Sequence, residues 1–205
     1  MKLLHIDSSI LGPHSVSRLL SAQIVERQKQ LHPGLDVVYR DLAADGSAHL
    51  TGAHMAAWQG AVVEDQALGD DLAKGGAYLD ELFAADIIVI GAPMYNFTVP
   101  SQLKAWIDRV VVAGKTFRYT ETGAPESLLP KGKTVFIASS RGGAAYGDGA
   151  PAAFLEHHET YLRGVLGFVG LTDVTVIRAE GVAMGPAARA AALDDARQVI
   201  EAIAA

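Results

Sequence analysis

Apolar positions along this chain follow two alternating periods. Segments 2–7, 35–40, 86–91, 134–139 and 173–178 are short runs rich in Val, Ile and Leu, and the third and fourth are the most continuously apolar. These runs predict five strands. The longer stretches between them carry helical spacing and predict helices over 17–31, about 67–84, 100–113, 151–169 and 186–204. Strand and helix alternate throughout, which implies right-handed crossovers and a parallel sheet covered on both faces, a three-layer α/β/α sandwich. Five strands suit the doubly wound order 2-1-3-4-5, in which a ligand sits beyond the carboxyl ends of the strands, at the switch point between the first and third. The loops after Asp7 and after Gly91 are then expected to be neighbours.

Composition narrows the possibilities. With 205 residues, half of them apolar, residues 1–205 are expected to form a single domain. The 17 Lys and Arg against 23 Asp and Glu give a net charge of -6, which argues against nucleic acid or an anionic membrane as the main partner. Any phosphate has to be captured locally. No run approaches the roughly eighteen apolar residues of a membrane span, and MKLLHIDSS turns polar too early for a secretory signal, so a cytoplasmic location is expected. The absence of Cys removes thiolate metal sites and thiol redox chemistry, so a redox function would need a borrowed cofactor.

Two segments break the pattern. Residues 43–63 are Ala- and Gly-rich with scattered His and Trp58, and residues 115–132 carry turn residues without clear periodicity. Long irregular stretches in a compact domain are often functional or lie at a partner interface.

Three loops at the expected site edge carry chemistry. The stretch DSSILGPHSVSRLL ends the first strand and opens a helix; hydroxyls of Ser9, Ser15 and Ser17, with free amides and the positive end of the helix dipole, make a phosphate cradle. The same serines also serve as ordinary N-cap and turn residues. The loop is neither GxGxxG nor GxxxxGK[ST]. After the third strand, GAPMYNFTVP puts Tyr95 and Phe97 where they could flank a flat ligand and Asn96 where it could meet a heterocycle edge, or where all three simply make a turn. After the fourth, SSRGGAAYGDG offers Gly142 and Gly143 for close backbone approach. Each signal is weak alone, and their convergence on one edge is what points to a binding site.

These blocks, GAPMYNFTVPSQLKAWID above all, with the Ser9/Ser15-Val16-Ser17 loop, AGKTFRYTETG and SSRGG, resemble the FMN-dependent NADH-azoreductases, flavodoxin-like enzymes also described as NAD(P)H:quinone oxidoreductases. The resemblance covers nearly the whole chain and is weakest over residues 43–80 and the last helix. It implies that Ser9, Ser15, Val16 and Ser17 hold the FMN phosphate, that Met94, Tyr95, Asn96 and Phe97 contact the isoalloxazine ring, and that Ser140, Arg141, Gly142 and Gly143 contact its pyrimidine side. Asn96, Phe97, Tyr119, Tyr161 and Leu162 are implied on the substrate side, the last two from the other subunit of a homodimer with the site at its interface. Family members commonly carry an aromatic near residue 162; here Leu162 follows Tyr161 and precedes Phe168.

The activity implied is a ping-pong, two-electron exchange in which NADH or NADPH reduces FMN and a quinone, azo dye or nitroaromatic then takes the electrons, with no protein acid or base as catalyst. A flavodoxin-type electron carrier that docks protein partners without turning over NAD(P)H is the alternative, and a scaffold that has lost flavin is a third. The seven His form neither HExxH nor an i, i+4 pair, and His157 and His158 on a helix would point about 100 degrees apart, so no metal site is expected. GxSxG is absent, and the Asp70–Asp71 pair is expected on a solvated helix face.

Overall fold

A computed structural model describes residues 1–204. Its central sheet contains β1 (Lys2–Asp7), β2 (Asp36–Asp41), β3 (Ile87–Pro93), β6 (Thr134–Arg141) and β7 (Asp173–Glu180), all parallel, in the spatial order β2-β1-β3-β6-β7. This is the doubly wound order expected from the alternation of periods. Residues 115–132 instead fold as an antiparallel hairpin, β4 (Phe117–Tyr119) with β5 (Pro125–Ser127), outside that sheet.

The helices form the outer layers. Leu3, Ile87, Val89, Phe136 and Ile177 face one way and pack under α1 (Val16–Leu31) and α6 (Pro186–Glu201). Leu4, Ile6, Ile88, Ile90, Val135 and Ile137 face the other way, under α3 (Gln66–Ala84), α4 (Ser101–Val110) and α5 (Glu159–Phe168). The alternation of 87 and 89 with 88 and 90 is the two-residue period of a strand buried on both faces, which is why this run reads as continuously apolar.

Side chains set the register at the carboxyl edge. Asp7 pairs with Gly91 across β1 and β3, where a Cβ on residue 91 would run into Asp7 Oδ1, so only glycine fits. Ser8 Oγ donates to the Gly91 carbonyl at 2.7 Å, and the Met94 amide donates to the Ser140 carbonyl at 2.8 Å. The loops after β1, β3 and β6 therefore leave the sheet side by side.

Three expectations need correction. The helix expected over 151–169 starts only at Glu159, because the Glu156 carboxylate accepts from the amides of His158, Glu159 and Thr160 and from the Thr160 hydroxyl, capping the helix there. Ala153–Leu155 upstream makes a 3₁₀ turn, and His157 precedes the helix, its amide donating to the Phe97 carbonyl at 3.2 Å. Residues 43–63 include a short helix, α2 (Gly52–Trp58). Asp71 is not on a solvated face: its Oδ2 accepts from Arg109 Nε at 3.0 Å and Nη2 at 2.5 Å and meets His54 Nε2 at 3.0 Å, while Oδ1 accepts from the Ala48 amide at 2.8 Å. Burial opposes the Asp71 charge, yet the bonds from Arg109, the Ala48 amide and His54 outweigh it and hold the carboxyl below the usual range.

Arg109 is fully buried, so removing its partner leaves an uncompensated charge inside the protein. Asp71→Ala is expected to destabilise the fold by about 3 kcal/mol or more, read from the urea midpoint; an unchanged midpoint would show that this pair does not anchor residues 43–63.

Candidate functional site

The site is built on the end of β1. Asp7 is buried and acts as a post: Ser21 Oγ donates to its Oδ1 at 2.7 Å and Tyr39 OH to its Oδ2 at 3.1 Å. Arg18 fixes the next residues by donating to the Ser9 carbonyl from Nε at 3.2 Å and Nη2 at 2.8 Å while gripping both Asp41 oxygens. Ser15 is the N-cap of α1, its Oγ accepting from the Arg18 amide at 3.3 Å and sharing a hydrogen bond with Ser17 Oγ at 3.1 Å. The first amides of α1 have no partner within the helix and face outward at its positive end.

The second wall comes from β3. Tyr95 and Thr98 exchange backbone bonds, N to O at 2.9 Å and 3.1 Å, around Asn96 at φ 46° and Phe97 at φ 71°. Positive φ at both central residues is the two-residue hairpin form, and a phenylalanine there is strained. Such strain concentrates where a loop must present side chains in one direction. Tyr95 OH is fixed by Ser9 Oγ at 3.1 Å and by the Ile10 amide, which donates to it at 3.2 Å. The turn and the serine loop are thus tied together directly.

The third wall follows β6. The carbonyls of Arg141, Gly142 and Gly143 accept from the amides of Val182, Ala183 and Gly181, so the segment after β7 runs alongside this loop. A Cβ on residue 143 would meet Tyr146 OH at 2.8 Å, and Tyr146 in turn lies edge-on to Phe97, 6.4 Å between centroids.

Together these walls enclose a cleft of about 500 Å³. Of the residues anticipated from sequence, Ser9, Ser15, Val16, Met94, Tyr95, Ser140 and Gly142 line it. Ser17 lies just behind, braced on Ser15, and Gly143 sits behind Tyr146. Asn96 and Phe97 stand exposed at the rim, Phe97 at 40%. Tyr119 is 63% exposed on β4, edge-on to Phe117, and does not line the cleft.

Two anticipated side chains go elsewhere. Arg141 turns inward to Glu156 at 3.1 Å, Glu159 at 2.8 Å and Glu180 at 3.3 Å, so it can offer the cleft only its backbone. Leu162 is 1% exposed in the core between sheet and helices, because its position on α5 points inward. Tyr161, one residue earlier, borders a separate apolar groove with Leu50, Met55, Trp58, Val111 and Val165. Leu11, His14, Pro93, Val182, Ala183 and Arg189 also line the cleft and were missed from sequence. The available signal was Gly181 and Gly185-Pro186, which mark a turn at the same carboxyl edge after β7.

Under the third wall, charges are shared rather than exposed. Burial opposes ionisation of Glu156, but bonds from Thr160 and from the amides of Glu159 and Thr160, with Arg141 nearby, bring its carboxyl down to about 2. Burial lowers His158 to about 4 against the pull of Glu159, and neither ring nitrogen has a partner.

A doubly wound parallel sandwich whose cleft opens over the switch point, with a helix N-terminus at one end and an aromatic turn facing a glycine loop at the other, defines the flavodoxin class of nucleotide-type sites. The model of the flavodoxin-like fold family matches residues 1–204. The FMN-dependent NADH:quinone oxidoreductase 2 of Bradyrhizobium diazoefficiens is 59% identical over 198 residues, 97% of this chain and 96% of that protein. The FMN-dependent NADH:quinone oxidoreductase of Xanthomonas campestris pv. campestris is 54% identical over 204 residues, 99% of each chain. The crystal structure of an FMN-dependent NADH-azoreductase from Bacillus anthracis in complex with FMN superimposes with a TM-score of 0.86 at 26% identity, covering 98% of this chain and 95% of that one. The chain belongs to the flavodoxin-like fold family, in its group of FMN-dependent NADH:quinone oxidoreductases and azoreductases.

Because His158 is held neutral in the fold but takes a proton near pH 6.5 when unfolded, the unfolded state binds more protons between those values. Stability is therefore expected to be complete above pH 6.5 and to fall by on the order of 3 kcal/mol as pH drops to 4. His158→Leu should flatten this part of a urea-midpoint profile, leaving the loss below about 4.5 to which Glu156 and the other lowered carboxyls, Asp41, Asp71 and Glu159, contribute; a variant with the wild-type slope refutes the assignment.

Proposed function

We propose that this chain is an FMN-dependent oxidoreductase that takes electrons from NADH or NADPH and passes them to quinones, azo compounds or nitroaromatics, one reactant leaving before the next enters. The observation that carries this reading is the cleft over the switch point, with serine hydroxyls and α1 amides at one end and the 94–97 turn opposite the glycine loop at the other. The names and close identity of the relatives support the same activity.

The residues present suit FMN. Ser9 and Ser15 offer hydroxyls and α1 its free amides to a phosphate, with Val16 lining the same end and Ser17 steadying Ser15. Met94 and Tyr95 form the wall beside a ring, and Asn96 offers its carboxamide to the ring edge. Ser140 and the backbone of Arg141, Gly142 and Gly143 approach from the other side. When bound, FMN supplies the two-electron chemistry that a chain without Cys lacks. The protein holds it in register, aims amides where negative charge gathers and keeps Phe97 and Tyr146 at the mouth against a flat acceptor.

This reading includes a cytoplasmic homodimer, each 1–205 chain acting as one flavin domain with the acceptor slot completed across the interface. The apolar groove of Met55, Trp58, Val111, Tyr161 and Val165 supports a dimer, in which Tyr161 reaches the substrate side from the partner, while Tyr119 is an exposed aromatic on β4 available to an acceptor. No helix among the described residues is long and apolar enough to cross a membrane.

Purified protein is expected to be yellow, to bleach on anaerobic addition of NADH and to regain colour with a quinone or azo dye. Failure to take up FMN refutes the reading, whereas a yellow protein that NADH cannot bleach favours the electron carrier. Initial rates with both reactants varied should give parallel reciprocal lines, and intersecting lines would exclude alternating occupancy. Asn96→Ala is expected to slow flavin reduction or weaken FMN retention by roughly fivefold or more, the scale of one lost hydrogen bond. A variant unchanged in both removes Asn96 from the ring contacts.

A further inference from the structure

Among the described residues that line the cleft, Arg189 carries the one permanent charge, and the protein leaves it unused. It sits at the end of the first turn of α6, shares the cleft with Ser9, Ser15 and Val16, and its Nη1 is shielded from solvent with no hydrogen-bond partner. A shielded charged donor without an acceptor is costly, and native structures supply one. The other arginine near this end, Arg18, is already committed to Asp41 and the Ser9 carbonyl.

The fold brings Arg189 to the phosphate end of the cleft rather than to the ring end. Helices α1 and α6 cover the same face of the sheet and run in the same direction, since each follows a strand of one parallel sheet. Their far ends meet where Arg27 Nη2 donates to the Ile203 carbonyl at 2.7 Å. Counting back along both helices from that contact, at equal rise per residue, brings residues 191 and 192 level with Ser15 and Val16 at the start of α1 and places Arg189 about 3 Å further toward the carboxyl edge of the sheet. Hydroxyls and amides can satisfy the hydrogen bonds of a phosphate, but they do not neutralise a dianion in a chain of net charge -6.

We propose that Arg189 is the cationic arm for the phosphate of FMN and gives the site its preference for FMN over riboflavin. The inference rests on the flavin reading of the cleft. It makes Arg189 a binding and specificity residue contributed by the last helix, outside the three loops that form the walls.

The full chain, stripped of bound flavin, is titrated with FMN and separately with riboflavin, following quenching of flavin fluorescence at low and high salt. Arg189→Gln is expected to weaken FMN by roughly ten- to a hundredfold, the factor carried by a hydrogen bond to a charged group. Riboflavin affinity should change by less than about threefold, and the salt dependence of FMN binding should flatten as one ion pair is lost. Arg189→Lys, which keeps the charge without the planar fork, should recover part of the FMN affinity. Equal losses for both flavins, or an unchanged ratio of FMN to riboflavin affinity, overturn the proposal. If Arg189→Gln does not fold, Arg189→Lys decides: a ratio reduced by about threefold or more supports the role, and an unchanged ratio refutes it. Wild-type protein that binds neither flavin refutes the cofactor reading itself, a result distinct from loss of discrimination alone.

Discussion

The close approach of Gly91 to Asp7 is the constraint on which the rest of the site depends. The Asp7 carboxylate can lie against residue 91 of the neighbouring strand only because that residue has no side chain. The Asp7 carboxylate occupies the space and gathers Ser21 and Tyr39, while Ser8 reaches across to the Gly91 carbonyl. Two loops that are eighty residues apart in sequence thereby leave the sheet at one point. The Tyr95 hydroxyl then bonds Ser9 directly, so the serine loop and the aromatic turn behave as one body. A ligand cleft that must match a rigid flat molecule gains from walls whose relative position is fixed before binding.

Charge is handled in the same spirit behind the third wall. Arg141 precedes two glycines and is directed into three carboxylates, with Ser139 and Arg178 completing the network through Glu159. Such a cluster locks the backbone of the glycine loop while keeping its own charges out of the cleft. Glu156 ties this network to the first amides of α5, and His157 ties the preceding turn to Phe97. The loop after β6, the start of α5 and the tip of the aromatic turn are therefore mechanically linked. Away from the cleft, Asp71, Arg109 and His54 do similar work for residues 43–63, holding α2 against α3 and α4 and exposing Trp58 and Met55 on an apolar face.

Much of this was legible in the chain, and the misses share one cause. The buried strands announce themselves because both faces of each must be apolar, and the order of the sheet follows from handed crossovers that leave little choice. Ser9, Ser15, Tyr95 and Gly142 could be picked out because hydroxyls, aromatics and glycines at a carboxyl edge have few purely structural reasons to cluster. The start of α5 was misread because Pro151 looks like a helix opening, whereas the cap is Glu156, whose effect depends on where its carboxylate can bend. Asp71 looked solvated because nothing near it in sequence announces Arg109, which lies on another helix. Leu162, expected beside Tyr161 on the substrate side, goes to the core for a similar reason, since one residue along a helix turns a side chain by about 100 degrees, from groove to core.

Sequence alone determined the class of fold, the edge on which the site lies and the loops that form its walls, because hydrophobic period and crossover handedness act locally and leave a trace residue by residue. Tertiary structure alone decided which side chains face the cleft and which are spent on one another. Arg141 was drawn into the protein by Glu156, Glu159 and Glu180, while Arg189, unremarkable in an alanine-rich helix, was delivered to the cleft with a free guanidinium nitrogen. The physical reason is that a charge is committed by whatever opposite charge packing brings within about 4 Å, and that distance is fixed by elements far apart in the chain.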